Sequence, residues 1–139
     1  MEILKQKLEL LVRALATLEA AVLKHEKSQD YDQERFEEYR DSLIQRFEYC
    51  TDLLWKVLKD YLEKVEKIKV ASPRAVFREC HTIGLLTEQE ADQFLTMLDA
   101  RNMTSHVYRE EFADLLYKQI PQFYAVMQAL VSKVMHSKL

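Results

Sequence analysis

Residues 2–24 read EILKQKLELLVRALATLEAAVLK, and the spacing inside this stretch decides the fold class. Leu4, Leu8, Leu11, Leu15, Leu18 and Val22 recur at alternating steps of four and three, which gathers them on one face of an α-helix. A strand would place its apolar residues at every second position instead. Such a stripe needs other apolar faces to cover it, and the chain supplies them. After a polar interval, His25 to Asp30, the same period resumes from Tyr31 to Lys69 through Phe36, Tyr39, Leu43, Phe47, Cys50, Leu54, Val57, Tyr61, Val65 and Ile68. Unbroken, that segment would run roughly 55–60 Å at 1.5 Å per residue, about three times the usual helix. A kink or break is expected inside it, although no glycine or proline marks one.

Downstream the punctuation is explicit. Ser72-Pro73 offers a hydroxyl at an N-cap and proline at the first helical position. The helix so opened is expected to stop near Ile83, with Gly84 free to take the left-handed conformation that ends it. Thr87 and Glu90 then read as a capping box, and the helix behind them carries Ala91, Phe94, Leu95 and Leu98 towards a core. Its pattern lapses between Asn102 and His106. A last stripe runs Phe112, Leu115, Gln119, Phe123, Met127, Leu130 and Val134, with Pro121 expected to split it. The reading is an all-α, up-and-down bundle of about five helices, forming one domain over residues 1–139.

Composition agrees. The 139 residues hold one glycine, where about ten would be usual, so phosphate loops, dinucleotide fingerprints and hairpin-rich sheets are disfavoured. Charged residues make up 31% and balance to a net −3, which marks no global field for nucleic acid or anionic membranes. Cys50 and Cys80 lack disulfide-scaffold density and zinc spacing, fall on apolar helical positions and read as buried thiols. The start, Met1 to Lys7, has no uninterrupted apolar region, and no stretch approaches a membrane span. A soluble, cytoplasmic protein is expected, with no membrane contact.

One segment departs from the pattern: Asp99-Ala100-Arg101-Asn102-Met103-Thr104-Ser105-His106-Val107-Tyr108. Arg101 falls three residues after Leu98 and seven after Phe94, on the inward face, where an arginine is costly unless paired or facing a cleft. On a continuous helix His106 would leave about 140° away from Arg101, so the two converge only if the helix ends between them. Asn102, Thr104 and Ser105, poor helix-interior residues, make such an ending reasonable. Arginine can grip a phosphate through its planar fork, and imidazole can give and take protons near neutrality. The bland alternative is structural: such a pair can cap carbonyls and bind acids such as Asp99. His106 and Glu110 have i,i+4 spacing but no evident third ligand, so no metal is expected.

Arg101, four residues, His106, one residue and Tyr108 resembles the Arg-x4-His-x-Tyr form of the HEPN motif (higher eukaryotes and prokaryotes nucleotide-binding). Phe47-Glu48, Leu54-Trp55-Lys56, the Ser72-Pro73-Arg74 helix start and the stretch from Arg101 to His106 are similar to the nucleotidyltransferase substrate-binding branch of that family. The similarity spans roughly residues 3–136. The chain departs from the family pattern at Asp52, where glutamate is expected, and at Cys50; both read as standing clear of the motif.

The resemblance implies a helical homodimer with two motifs facing each other, no cofactor, and a minimal nucleotidyltransferase as partner. It implies a metal-independent ribonuclease toxin acting on RNA through Arg101 and His106, with Asn102, Thr104 and Ser105 in support. The nucleotidyltransferase would act as antitoxin by adenylylating Tyr108. An alternative within the same branch is a non-catalytic subunit that binds nucleotide or substrate for the transferase.

Local charge runs against RNA. From Thr87 to Asp114 seven acids face two arginines, a net of −5, while seven cations lie between Lys56 and Arg78 and three lysines follow Asp114. These cations must fold beside the motif, or come from another subunit, to help.

Overall fold

The computed structural model describes residues 1–106 and 109–137, with the backbone alone at positions 26 and 27. Five long helices and one single-turn helix make up the described chain: α1 (Glu2–Leu23), α2 (His25–Ser28), α3 (Gln33–Lys64), α4 (Pro73–Thr82), α5 (Glu88–His106) and α6 (Glu110–Met135). No described helix is long and apolar enough to cross a membrane.

The α1 stripe buries as its period demands: Leu4, Leu8, Leu11, Leu15 and Leu18 are buried, and Val22 is half-buried against the core. α3 is the hub, packing against every other helix. Contacts fix the directions. Lys7 pairs with Asp60 and the Tyr39 hydroxyl donates to the Ala21 carbonyl, so α1 and α3 run antiparallel. Arg40 meets Glu110 and Asp114, Phe47 stacks on Phe123, and Tyr61 bonds Ser137, so α3 and α6 run parallel. α4 and α5 form a hairpin in which Phe77 stacks on Phe94 at 4.6 Å.

The local start and stop signals appear as hydrogen bonds. The Ala75 amide donates to Ser72 Oγ (3.2 Å), opening α4 with Pro73 in its first turn. Gly84 has φ +86° and donates to His81, while the Leu85 amide reaches back to the Cys80 carbonyl; this double bond pattern closes a helix through a left-handed residue. Thr87 and Glu90 exchange backbone-to-side-chain bonds of 2.9 and 3.1 Å, the reciprocal capping box.

Three expectations fail. α3 is one unbroken helix over 32 residues, ending at Lys64 rather than Lys69, because α1, α4, α5 and α6 cover its faces along its length. Pro121 does not split α6, which is continuous from Glu110 to Met135. The first half of the α6 stripe is also shifted. Leu115 is 62% exposed, and Ala113, Leu116, Tyr117 and Ile120 are buried instead. Tyr117 explains the shift. It packs edge-on to Phe36 and Tyr39 and bonds His25, fixing α6 against α3 and the α1–α3 connection.

Cys50 and Cys80 are fully buried. Burial pushes the Cys50 thiol up to about 11 and the Cys80 thiol up to about 12, as expected of small hydrophobes in a core.

Candidate functional site

Phe94 and Leu98 are buried on the inner face of α5, and Arg101 continues that face one turn further. There it meets α3. Glu48 and Asp52, four apart on that helix, present their carboxylates to the guanidinium. Arg101 Nε donates to Asp52 Oδ1 at 3.0 Å and Nη2 to Asp52 Oδ2 at 2.9 Å, a two-bond fork on one carboxylate. Nη1 donates to Glu48 Oε2 at 2.9 Å and lies within reach of the Thr104 and Ser105 hydroxyls at 2.9 and 3.1 Å. The bonds to Asp52 hold the guanidinium charged against the burial that opposes it, and the Asp52 and Glu48 charges add to this. Guanidinium carries five N–H groups, and one of the two on Nη2 has no acceptor among the described residues.

Asp52 therefore does not stand clear of the motif. It is the principal partner of Arg101, and its shortening from the glutamate expected there acts on the motif directly. Cys50 is buried behind it in the core.

The expected helix break between Arg101 and His106 is absent: α5 runs through both. Thr104 and Ser105 do not break the helix, because their hydroxyls meet a carbonyl of the preceding turn and neighbouring side chains rather than its backbone amides. Thr104 Oγ1 lies 2.7 Å from the Arg101 carbonyl and 2.9 Å from Glu48 Oε2, and both hydroxyls accept from Arg101. α5 is described as far as His106, and α6 opens at Glu110 with Arg109 as an extended N-cap residue. Arg101 and His106 consequently leave one continuous helix about 140° apart and do not converge within this chain. His106 and Asn102 are exposed. Tyr108 lies outside the described residues.

The acidic count around the motif overstates its field. Asp99 is paired with Arg74 at 2.8 Å, Glu90 with Lys133 at 3.6 Å, and both Glu110 and Asp114 with Arg40. Arg74 and Lys133 come from the two cationic segments, which reach the motif-bearing helix as ion-pair partners.

Arg40 is the residue that pattern reading missed. It is 1% exposed and donates to Glu110 Oε2 at 2.7 Å, Asp114 Oδ1 at 3.0 Å and Asp41 Oδ1 at 3.1 Å. Burial alone would weaken its charge, but the bonds to Glu110, Asp114 and Asp41 outweigh that and keep it ionised. It clamps the first turns of α6, directly after the motif. The signal was present: Arg40 sits four after Phe36 and three before Leu43, inside an apolar stripe.

The remaining histidines have local partners or face solvent. His25 bonds Tyr117, His136 meets the Ser132 carbonyl at 2.7 Å, and His81 is exposed. Trp55 is half-buried against the core.

Comparison with known proteins adds the family. Residues 6–136 match the model for nucleotidyltransferase substrate binding protein-like sequences. A Haemophilus influenzae protein described as a probable ribonuclease HepT is 31% identical over 84 residues, 58% of this chain. The match spans 56% of that relative, so the chain covers just over half its length. A solved Haemophilus influenzae structure, described as the fold of a substrate binding domain of a nucleotidyltransferase, superposes with a TM-score of 0.80 at 24% identity over 93% of this chain and 99% of the other. The tri-AMPylated HEPN toxin of Shewanella oneidensis, solved in complex with its MNT antitoxin, shares the fold at a TM-score of 0.70 and 16% identity over 90% and 96% of the two chains.

Proposed function

The chain belongs to the nucleotidyltransferase substrate binding protein-like family, and from that membership we propose that it is a metal-independent endoribonuclease toxin of the HEPN type. Its partner is a minimal nucleotidyltransferase antitoxin that adenylylates Tyr108. The observation that carries the reading is the anchoring of Arg101. Glu48, Asp52, Thr104 and Ser105 hold the guanidinium in one place near the end of α5, with one N–H that has no acceptor among the described residues and His106 exposed one and a half turns on.

Metal-free cleavage needs a base to take the 2′-hydroxyl proton, an acid to protonate the leaving 5′-oxygen, and donors for the phosphorane oxygens. His106 moves the protons and Arg101 orients the phosphate, with Asn102, Thr104 and Ser105 supporting. One histidine cannot be acid and base at once, so a homodimer that supplies a second His106 completes the chemistry. An adenylyl group on Tyr108, two residues on, would cover the same helix end. The setting for these roles is the cytoplasm.

The test is single-stranded RNA incubated with the purified chain and its His106→Ala variant, alongside expression of each in growing cells. Cleavage and growth arrest lost in the variant are expected; unchanged cleavage overturns the reading. Co-expression with a minimal nucleotidyltransferase should add adenylyl mass to Tyr108.

A second reading, a non-catalytic subunit that binds nucleotide or substrate for the transferase, is favoured by one observation. Two carboxylates surround the Arg101 charge, so the site lacks the excess positive charge that would stabilise a phosphorane during cleavage. Nucleotide binding without RNA turnover or growth arrest would select it.

A further inference from the structure

Between the end of α1 and the first half of α3 lies an open groove of about 460 Å³. Lys24 borders it from the α1 cap, and Arg35, Tyr39, Ser42 and Arg46 line it along one face of α3. Tyr31 closes one end, with the Arg35 guanidinium 4.2 Å above its ring and Tyr39 edge-on at 6.2 Å. Glu38 is the one acid in the lining. Lys24, Arg35 and Arg46 make no ion pair among the described residues, in contrast to the cations around α5. Hydroxyls, aromatic faces and unpaired cations in one concavity suit a ligand with phosphates and planar bases.

The groove also aligns with the candidate site. Arg35 to Arg46 spans about 16 Å of helix, and Asp52, which holds Arg101, lies only about 9 Å beyond Arg46 along the axis. At 100° per residue, the face carrying Ser42 and Arg46 is about a third of a turn from the face carrying Glu48 and Asp52. Tyr49 projects from the strip between them and is 52% exposed, an aromatic ring with no core to fill.

We propose that this groove is a track for the phosphate backbone of a single-stranded polyribonucleotide, with Lys24, Arg35 and Arg46 as phosphate contacts and Tyr49 as a stacking platform that passes the strand to Arg101. The inference rests on the ribonuclease reading for its ligand, but its geometry is independent of His106. It supplies the cations that the surroundings of Arg101 lack.

The experiment uses the His106→Ala chain, so that RNA survives the measurement. A fluorescein-labelled single-stranded oligoribonucleotide is titrated by anisotropy over a range of salt concentrations. Lys24, Arg35 and Arg46 are then changed together to Gln; all three are exposed, so the fold is expected to persist, and a thermal melt verifies this. Affinity should fall about tenfold or more, and the slope of log affinity against log salt should drop by about 2, as three contacts imply for a single strand. Tyr49→Ala alone should weaken binding about fivefold or more. A matched control, Lys59, Lys64 and Arg78 changed to Gln, removes equal charge away from the groove and should change the slope far less.

Equal effects of the two triple variants overturn the track, as does a chain that binds no RNA. So does adenosine monophosphate binding in the groove without strand binding. Groove-dependent RNA binding by a wild-type chain that cleaves nothing would leave the track standing and remove the nuclease.

Discussion

Arg40→Ala tests whether the segment after the motif is held from within the core. Arg40 is 1% exposed, while Asp41, Glu110 and Asp114 are 48–56% exposed on their side chains. Removing one member of a fully buried ion pair costs about 3–5 kcal/mol because the other charge is stranded. Here the three carboxylates keep about half their hydration, so stranding them costs less. What remains is the loss of a buried stem and of a charge-assisted hydrogen-bond set, together about 2–3 kcal/mol. At roughly 3–5 °C per kcal/mol for a chain of this size, the melting temperature should fall by about 6–15 °C.

The acids should behave asymmetrically. Glu110→Gln or Asp114→Asn alone should cost less than about 1 kcal/mol, since each leaves the other carboxylate on the buried guanidinium. Together they should exceed the sum of the singles by about 1 kcal/mol, because the buried cation then loses both α6 partners. Arg40→Met, which retains the stem volume, should recover part of the Ala loss. Thermal melts followed by circular dichroism at neutral pH, in low and high salt, read all of these. If Arg40→Ala costs no more than Glu110→Gln, or if the acid pair is additive, the clamp is a solvated surface pair and α6 is held by its apolar face alone.

The Thr87 amide, with help from the Thr87 hydroxyl and Lys133, holds the Glu90 carboxyl below its usual 4.5 against the opposing effect of burial. A folded value below the unfolded one gives stability that is full above about pH 4.5 and fades as pH falls through the folded value. The gap between wild type and Glu90→Ala, about 1 kcal/mol at neutral pH, should therefore shrink in melts at pH 3. Cys50 and Cys80, with thiols pushed up to about 11 and about 12, should react with a disulfide reagent at pH 8 only at the rate of global unfolding. Immediate modification of the native chain would contradict their burial. Asp52→Asn should lower stability by about 1 kcal/mol, discounted because Asp52 is 42% exposed. It should also raise RNA affinity severalfold by removing one charge beside Arg101; unchanged affinity would mean that phosphate does not approach there.

Periodicity read the core of α1 and the central stripe of α3 from Leu43 to Tyr61, because the apolar spacing there marks the face that packs inward; Ile44, Thr51, Leu58 and Leu62 are buried besides, because α3 is covered from more than one side. It misplaced the first half of α6, where Leu115 fits the spacing better than Tyr117 does. The decision there belongs to Phe36, Tyr39 and His25 from other elements, which no window along the chain contains. The proposed break between Arg101 and His106 failed for a related reason. Thr104 and Ser105 are poor helix residues only when their hydroxyls compete for nearby backbone amides, and here a guanidinium three and four residues back engages them. Start and stop signals at Ser72, Gly84 and Thr87 were legible because their partners lie within a few positions. The Arg101 spacing was legible too, but its carboxylate cradle was not, since Glu48 and Asp52 stand about fifty residues away.

That cradle changes what the motif asks of the rest of the molecule. Arg101 contributes one positive charge and its two carboxylates remove two, so the isolated cluster attracts no phosphate on electrostatic grounds. A guanidinium held by a two-bond fork is nevertheless well placed to orient a ligand, because little conformational freedom remains to be lost on binding. Orientation and attraction are thus separated in this chain. Arg101 sets geometry, and the force that draws in a polyanion must come from cations without internal partners. Lys24, Arg35 and Arg46 make no ion pair among the described residues and gather around the α1–α3 groove, on the neighbouring flank of the same helix that supplies Glu48 and Asp52. A cleavage site so built has a definite weakness: raising salt should abolish RNA binding through the groove long before it disturbs the Arg101 fork, whose partly buried bonds are screened far less.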